Sequence, residues 1–447
     1  MKRALIALTV ISIMALWLVG CSNEAADIKY DYNGTEEEIY IADQEYYTTD
    51  QEYDTEETGS EALEEETENE TSEEETEAMR PAREMPNEPI VSFAARASVS
   101  FVLLADNSLW AWGHNGSARI FEDGRIRNSI SGFLGDGTTI ERHEPVWIMD
   151  DVASFSVGGM IHGTVSVMAI KTEGTLWGFG ANQSSAIGNG LFGFQESPVM
   201  IMDDVIFVHA GHRHTVAIKS DQTMWAWGDN GGGRIGGEFS GRVASPVMVM
   251  ENVVYAHAAA FNTMVITTDG GLYIWGENWM YQLADSTASA NGRGYPVRIM
   301  ENVVSAAGAS HIAALQADGT LWAWANNVDG QVGNGTTISQ QYPVMIKENV
   351  RSFAVTGGVS LAVTNDDELW GWGMNGNGQL GLGDTNHRLT PTLIMENIQM
   401  ASLGTGHAMA TDTEGSLWAW GLNRNGQLGT GDTQPQLLPV RIIYTVD

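Results

Sequence analysis

From Leu109 onward the hydrophobic pattern is built on one short phrase. Two large aromatic residues flank a small one in LWAWG (109–113), and the phrase returns as LWGFG (176–180), MWAWG (224–228), LYIWG (272–276), LWAWA (321–325), LWGWG (369–373) and LWAWG (417–421). After a first interval of 67 residues the copies start 48 or 49 apart. In an extended strand alternate side chains share a face, so Trp225 and Trp227 point one way and Ala226 the other. A face carrying two large rings cannot stay in water, and a single copy has nothing to set against it. The copies must therefore stack on their neighbours.

The polar positions divide each copy further. In the third, an apolar strand over 205–209 precedes a second over 214–219. A tight polar turn follows, seen elsewhere as ADGT (317–320) and TEGS (413–416), and suits the positive dihedrals of a hairpin. The Trp strand comes next, then a Gly-rich loop such as DNGGGRIGG (229–237), then a fourth element marked by Pro145, Pro198, Pro246, Pro296, Pro343, Pro391 and Pro439. Proline fits the first position of a strand or an outer edge strand, where no ladder donor is missed. Four short antiparallel strands make one blade, so residues 90–447 are expected to form an all-β, seven-bladed propeller.

Composition adds a different N-terminal part. Lys2 and Arg3 precede an apolar run, 4–19, that is short for a membrane span and ends in Leu18, Val19, Gly20, Cys21. These four residues resemble the lipobox of bacterial lipoproteins. The resemblance implies a signal peptide over 1–20, cleavage before Cys21, diacylglycerol on its sulfur, and a lipid-anchored protein facing outward from a bacterial cell membrane. Cys21 is the only cysteine, which excludes intramolecular disulfides. Residues 24–89 hold 25 Asp and Glu against Lys29, Arg80 and Arg83, within a net charge of −35 for the whole chain. Such a segment cannot bury enough surface to offset its ordering entropy, so 21–89 reads as a disordered acidic tether spanning about 45 Å. No basic stripe is present to neutralise phosphates, which argues against nucleic acid as a partner.

WGWGMNGNGQLGLGD (370–384) and WAWGLNRNGQLGTGD (418–432), with the GxxHT and PxxI elements around them, resemble the repeat of the regulator of chromosome condensation family. The resemblance covers about four fifths of the chain and implies a seven-bladed propeller. Its eukaryotic namesake is a nuclear guanine-nucleotide exchange factor that also contacts chromatin. An acidic chain with a lipoprotein leader shares neither that compartment nor a basic surface, so the activity is not carried over. A nearer analogy is a secreted bacterial propeller of similar repeats that inhibits β-lactamases by covering their active site with one face.

Candidate chemistry is sparse. His214, His311 and His407 fall at equivalent positions, with Ser100, Ser166, Asn262 and Ser360 expected to stand there in the other copies. Ring symmetry could bring histidines together on a metal, but small hydrogen-bonding replacements favour a structural contact. The acid pairs Asp150/Asp151 and Asp203/Asp204 recur where a turn is expected. With no cysteine in the folded part and no nucleophile, phosphate-loop or metal-binding motif, the expectation is no catalytic residue, no metal and no cofactor. Binding residues are sought where loops depart from the repeat: Arg119, Phe121, Arg125 and Arg127 in the first copy, Leu191, Phe192 and Phe194 in the second, and Trp279, Met280 and Tyr281 in the fourth. Arginine and aromatic side chains dominate binding hot spots, although each segment could equally fold back as a plug. The expected function is a non-enzymatic binding module with a protein partner. The alternatives are a glycan or cell-wall binder stacking sugars on Trp279 and Tyr281, and a hydrolase or lyase using the central channel.

Overall fold

The computed structural model describes residues 83–442, apart from 87, 97–98, 116–118, 121–125, 128–131, 160–164, 238, 240, 286–291, 405, 425–427, 429 and 431. The leader, Cys21 and most of the expected tether lie outside the described residues. The folded part is a seven-bladed β-propeller, each blade a four-stranded antiparallel sheet whose strands sit side by side in chain order. The third blade is typical, with strands Val205–Ala210, His214–Lys219, Met224–Asp229 and Arg242–Met250. Ile90–Arg96, Val99–Leu104, Leu109–Gly113 and Arg142–Met149 form the first blade, and the seventh runs from Ile398–Leu403 to Gln436–Ile442. Every blade, the last included, takes its four strands from one continuous stretch of chain. Among the described residues no strand is exchanged between the two ends of the ring.

The prolines lie on the outer edge strand, as expected, but inside it rather than at its first position. Ala226 pairs with Val247 and Gly228 with Val243, so the register slips across the stretch that contains Pro246. A bulge on an edge strand tolerates a residue with no N–H and also blunts that edge against pairing with another chain.

Indoles hold the blades together. From the third blade on, the second of each pair, Trp227, Trp275, Trp324, Trp372 or Trp420, is completely buried. Trp227 packs with Met168, Ile170 and Leu176 of the second blade, while Ala226, on the opposite face, joins Val253, Ala256 and Trp275 of the fourth. Each sheet is thus sandwiched between its neighbours, as the recurrence of the motif required. Four of these indole N–H groups also cross to the preceding blade: Trp227 donates to the carbonyl of Ala186 (2.8 Å), Trp324 to Gln282 (3.0 Å), Trp372 to Gln331 (3.0 Å) and Trp420 to Gln379 (2.9 Å). Trp275 has no such partner.

In every blade but the first, the first ring of the pair is partly exposed, and it serves the turn between second and third strands. Trp225 donates to Thr223 Oγ1 (2.9 Å), which bonds the Asp221 carboxylate (2.7 Å), and Lys219 lies 5.5 Å from the ring centroid. The acid pairs are turn residues, as expected. Asp151 and Asp204 occupy the left-handed region at the link between blades, where Asn252, Asn302, Asn349 and Asn397 do the same.

The histidine positions need a correction. His214, His311 and His407 pair with the glycine or alanine that ends the Trp strand, as do Ser166 and Asn262, but in the first and sixth blades that place belongs to Val99 and Val359. Ser100 and Ser360 stand one residue later, opposite the second indole. That later position holds the acceptor: His214 Nε2 meets Thr263 Oγ1 of the next blade, and His311 Nε2 meets Ser360 Oγ, each at 2.8 Å. Burial holds His214 well below the usual imidazole range and His311 down to about 3. Both are neutral members of the blade seam.

Candidate functional site

An antiparallel meander puts the loops after the first and third strands on one end of every blade, and the turns after the second and fourth on the other. We call these the loop face and the turn face. Cross-loop bonds bear this out: Asp229 N–H donates to the carbonyl of Arg213 on the loop face, and Val205 N–H to that of Gly174 on the turn face.

One asparagine organises each long loop. The amide oxygen of Asn182, Asn230, Asn278, Asn327, Asn375 and Asn423 accepts the backbone N–H five residues on, from Ile187, Ile235, Leu283, Val332, Leu380 and Leu428 at 2.8–3.0 Å. Asn115 makes the same bond to Leu134, so the first blade's insertion is spliced between them and Phe133 belongs to the core. This frame is scaffold. What differs among blades is what it displays.

In the insertion, Arg119–Ile120 and Ile126–Arg127 pair as a two-stranded ribbon, with Arg119 opposite Arg127. Phe121 and Arg125 lie outside the described residues. In the second blade Leu191 and Phe192 are exposed, and the Arg242 guanidinium sits 4.8 Å from the Phe192 ring centroid. Phe194 turns the other way, packing edge-on against Phe133 at 6.4 Å. Its strand position, within Phe194–Met202, makes it part of the scaffold.

The fourth blade departs furthest. Asn278, Gln282 and Leu283 keep the frame, leaving Trp279, Met280 and Tyr281 at its tip, 52%, 36% and 45% exposed. Trp279 rests edge-on against Phe261 of the neighbouring loop, centroids 4.9 Å apart. Tyr281 stands where the fifth blade has Gly330 and the sixth Gly378, both left-handed, and its own φ is 67°. Ala284 replaces Gly333 likewise, with φ 48°. A bulky residue in this region is strained by about 1–2 kcal/mol.

Beneath this tip lies a buried arginine. Arg234 replaces the glutamine of the GQLG phrase; it bonds the carbonyls of Gly231 and Ala260 and reaches the Glu277 carboxylate at 2.8 Å across the blade seam. Paired and almost fully buried, it fixes the third loop against the fourth. Phe239, 42% exposed, extends the apolar arc between Phe192 and the Trp279 tip. Phe239, Phe261 and Arg234 were not singled out from the sequence. Setting copies in register at the asparagine reveals Arg234, but the loop positions of the two phenylalanines follow no repeat.

Among the described residues no three His, Cys, Asp or Glu side chains are grouped as a metal site.

The fold and its loop frame define a propeller of RCC1 repeats. Residues 54–410 match the RCC1-like domain, and 399–427 and 414–446 match the Regulator of chromosome condensation (RCC1) repeat; the chain belongs to the RCC1-like family. Among solved structures it is similar to yeast RCC1 (Prp20) bound to Kap60, at 19% identity and TM-score 0.58, covering 88% of this chain and 92% of that one. Prp20p from Saccharomyces cerevisiae, described with its binding to Gsp1p and histones, gives 19% identity and TM-score 0.57 over 80% and 87% of the two chains. Human WBSCR16 gives 20% and 0.57, covering 68% of this chain and 85% of that one. At such identities the likeness is one of fold. No curated protein sequence matches.

Proposed function

We propose that this propeller is a non-enzymatic binding module that holds a protein partner against the loop face of its second, third and fourth blades. The observation that carries this reading is the fourth-blade tip. Three large side chains stand in solvent, and the chain tolerates a left-handed tyrosine to place them there, where the second blade has the small Ser185 and the third, fifth and sixth use glycine. Strain retained at an exposed, apolar position is a mark of function rather than of folding. The aromatic arc of Phe192, Phe239, Trp279 and Tyr281, with Met280 and the Phe192-stacked Arg242, has the composition of a binding hot spot. Arg119, Phe121, Arg125 and Arg127 of the first-blade insertion belong to the same proposal. Proteins of the same fold support a binding role: yeast RCC1 is seen with Kap60, and Prp20p is described as binding Gsp1p and histones. The lipobox-like Leu18–Cys21 supports display of the module from the outer side of a bacterial membrane, through the lipidated Cys21 and an acidic tether.

Proximity labelling from the full chain in its native setting tests the reading, with Trp279→Ala as the control. The expected result is a small set of proteins labelled by the wild type and lost in the variant, while its melting temperature is unchanged. Identical labelling by the two chains overturns it, and Trp279-dependent retention on a glycan array instead would assign the arc to sugars.

A further inference from the structure

The first blade differs from the others on its turn face in a way the binding arc does not use. In the second and third blades a lysine at the end of the second strand lies over the first indole: Lys171 over Trp177 at 5.4 Å and Lys219 over Trp225 at 5.5 Å. Leu104 stands at that position in the first blade, so no cation comes from within it. Yet Trp110 is fully buried, whereas its counterparts are partly exposed. The chain ahead of the first strand makes the difference. Arg83 places its guanidinium 6.0 Å from the Trp110 centroid and 5.9 Å from that of Trp147, and Nη1 contacts both Asp150 oxygens at 2.7 and 3.0 Å. Trp147 faces Trp110 across the strand pair, at a register position held by Met248 in the third blade and Met345 in the fifth. Its indole N–H donates to the same Asp150 carboxylate at 3.0 Å, which fixes the acceptor. Met85 packs beside the two rings.

We infer that Trp110, Trp147 and Asp150 form a guanidinium-binding slot, which Arg83 fills in cis. The parts match the chemistry. A planar, weakly hydrated cation stacks on indole faces while one of its nitrogens donates to both oxygens of the carboxylate, whereas an ammonium is a compact, strongly hydrated point charge that stacks less well. The slot ties residues 83–86 to the first blade, so the chain arrives at the ring on its turn face, opposite the aromatic arc. The folded unit accordingly reaches back to Arg83 instead of starting at Ile90.

Hydrogen exchange on the full-length chain tests this, with Arg83→Gly, Arg83→Lys and Trp147→Ala. Exposed ion pairs and cation–π contacts of this kind are together worth about a tenfold change in the closed population. Arg83→Gly and Trp147→Ala are each expected to raise exchange at the Ala105 amide, which donates to the Pro89 carbonyl at 2.8 Å, by about that factor and to leave the other six blades protected. Arg83→Lys should behave like the glycine variant. The proposal is overturned if Arg83→Gly leaves exchange unchanged, or if Arg83→Lys protects as well as the wild type.

Discussion

The indole N–H of Trp372 donates to the backbone carbonyl of Gln331 in the preceding blade at 3.0 Å, and that same oxygen accepts from Ser360 Oγ at 2.8 Å. The seam between blades three and four lacks the first of these bonds. Thr263 Oγ1 reaches the Arg234 carbonyl at 2.6 Å, but the Trp275 N–H is buried without a partner. A made hydrogen bond contributes about 1 kcal/mol, and a buried unpaired donor costs at least as much. Trp372→Phe is therefore expected to destabilise the ring by about 1 kcal/mol beyond the loss of ring area, and Trp275→Phe by distinctly less. Urea unfolding of the pair checks the difference. At either site alanine should cost about 3–5 kcal/mol through the void it leaves.

A trade between stability and binding is expected at Tyr281. Tyr281→Gly releases the left-handed strain, for a gain of about 1 kcal/mol in stability, while removing a ring from the exposed tip. The variant should melt higher and hold the partner less well. A lower melting temperature would show that the tyrosine ring is packed as core, and the tip would lose its claim to be a site.

A second strained residue allows the backbone effect to be read without binding. Ala325 ends the fifth Trp strand with φ 78°, where Gly228, Gly276 and Gly373 stand in other blades. At Gly228 an added Cβ would lie 2.5 Å from the Arg213 carbonyl oxygen, which explains the glycine. Ala325→Gly is expected to raise stability by about 1 kcal/mol, read from the urea midpoint, with no effect on partner capture.

The repeat was legible because it rests on few requirements. Two indoles on one face demand a partner surface, and a proline marks an outer edge, so Trp227 and Pro246 placed themselves. Chemical type was a poorer guide to register. Ser100 and Ser360 carry hydroxyls, as the histidine position seemed to ask, yet both stand opposite the second indole, and Ser360 there meets His311 of the preceding blade. The aromatic departures at Phe192 and Trp279 were visible against the repeat, but whether each ring points out or in was not, since Phe194 looks the same in sequence and is held inward by Phe133. Arg83 was hidden among acids, where nothing in the composition tells a stacked guanidinium from a solvated one.

Buried histidines set the acid limit of the ring. His311 is fully buried against Ser360, and burial lowers it from the ordinary 6.5 to about 3; His257, stacked on His209 at 4.3 Å, falls to about 4. Because the folded values lie below the unfolded one, the unfolded chain binds protons first. Stability is full above pH 6.5 and declines as pH falls from there toward 4 and 3, by on the order of 1 kcal/mol per unit for each such histidine. The turn carboxylates, Asp221 and Asp412 among them, are held below the usual range by hydrogen bonds, from Thr223 and Trp418 first. Their contribution is present above about pH 4 and is lost only in stronger acid. Two stages are therefore expected: a sloping loss between pH 6.5 and 4 from imidazoles, then a steeper one from carboxylates. His311→Gln, which cannot titrate, should flatten the first stage and leave the second in place. Urea midpoints at pH 7, 5 and 3.5 would show it, and an unaltered slope between 7 and 5 would mean that His311 takes its proton within the folded seam.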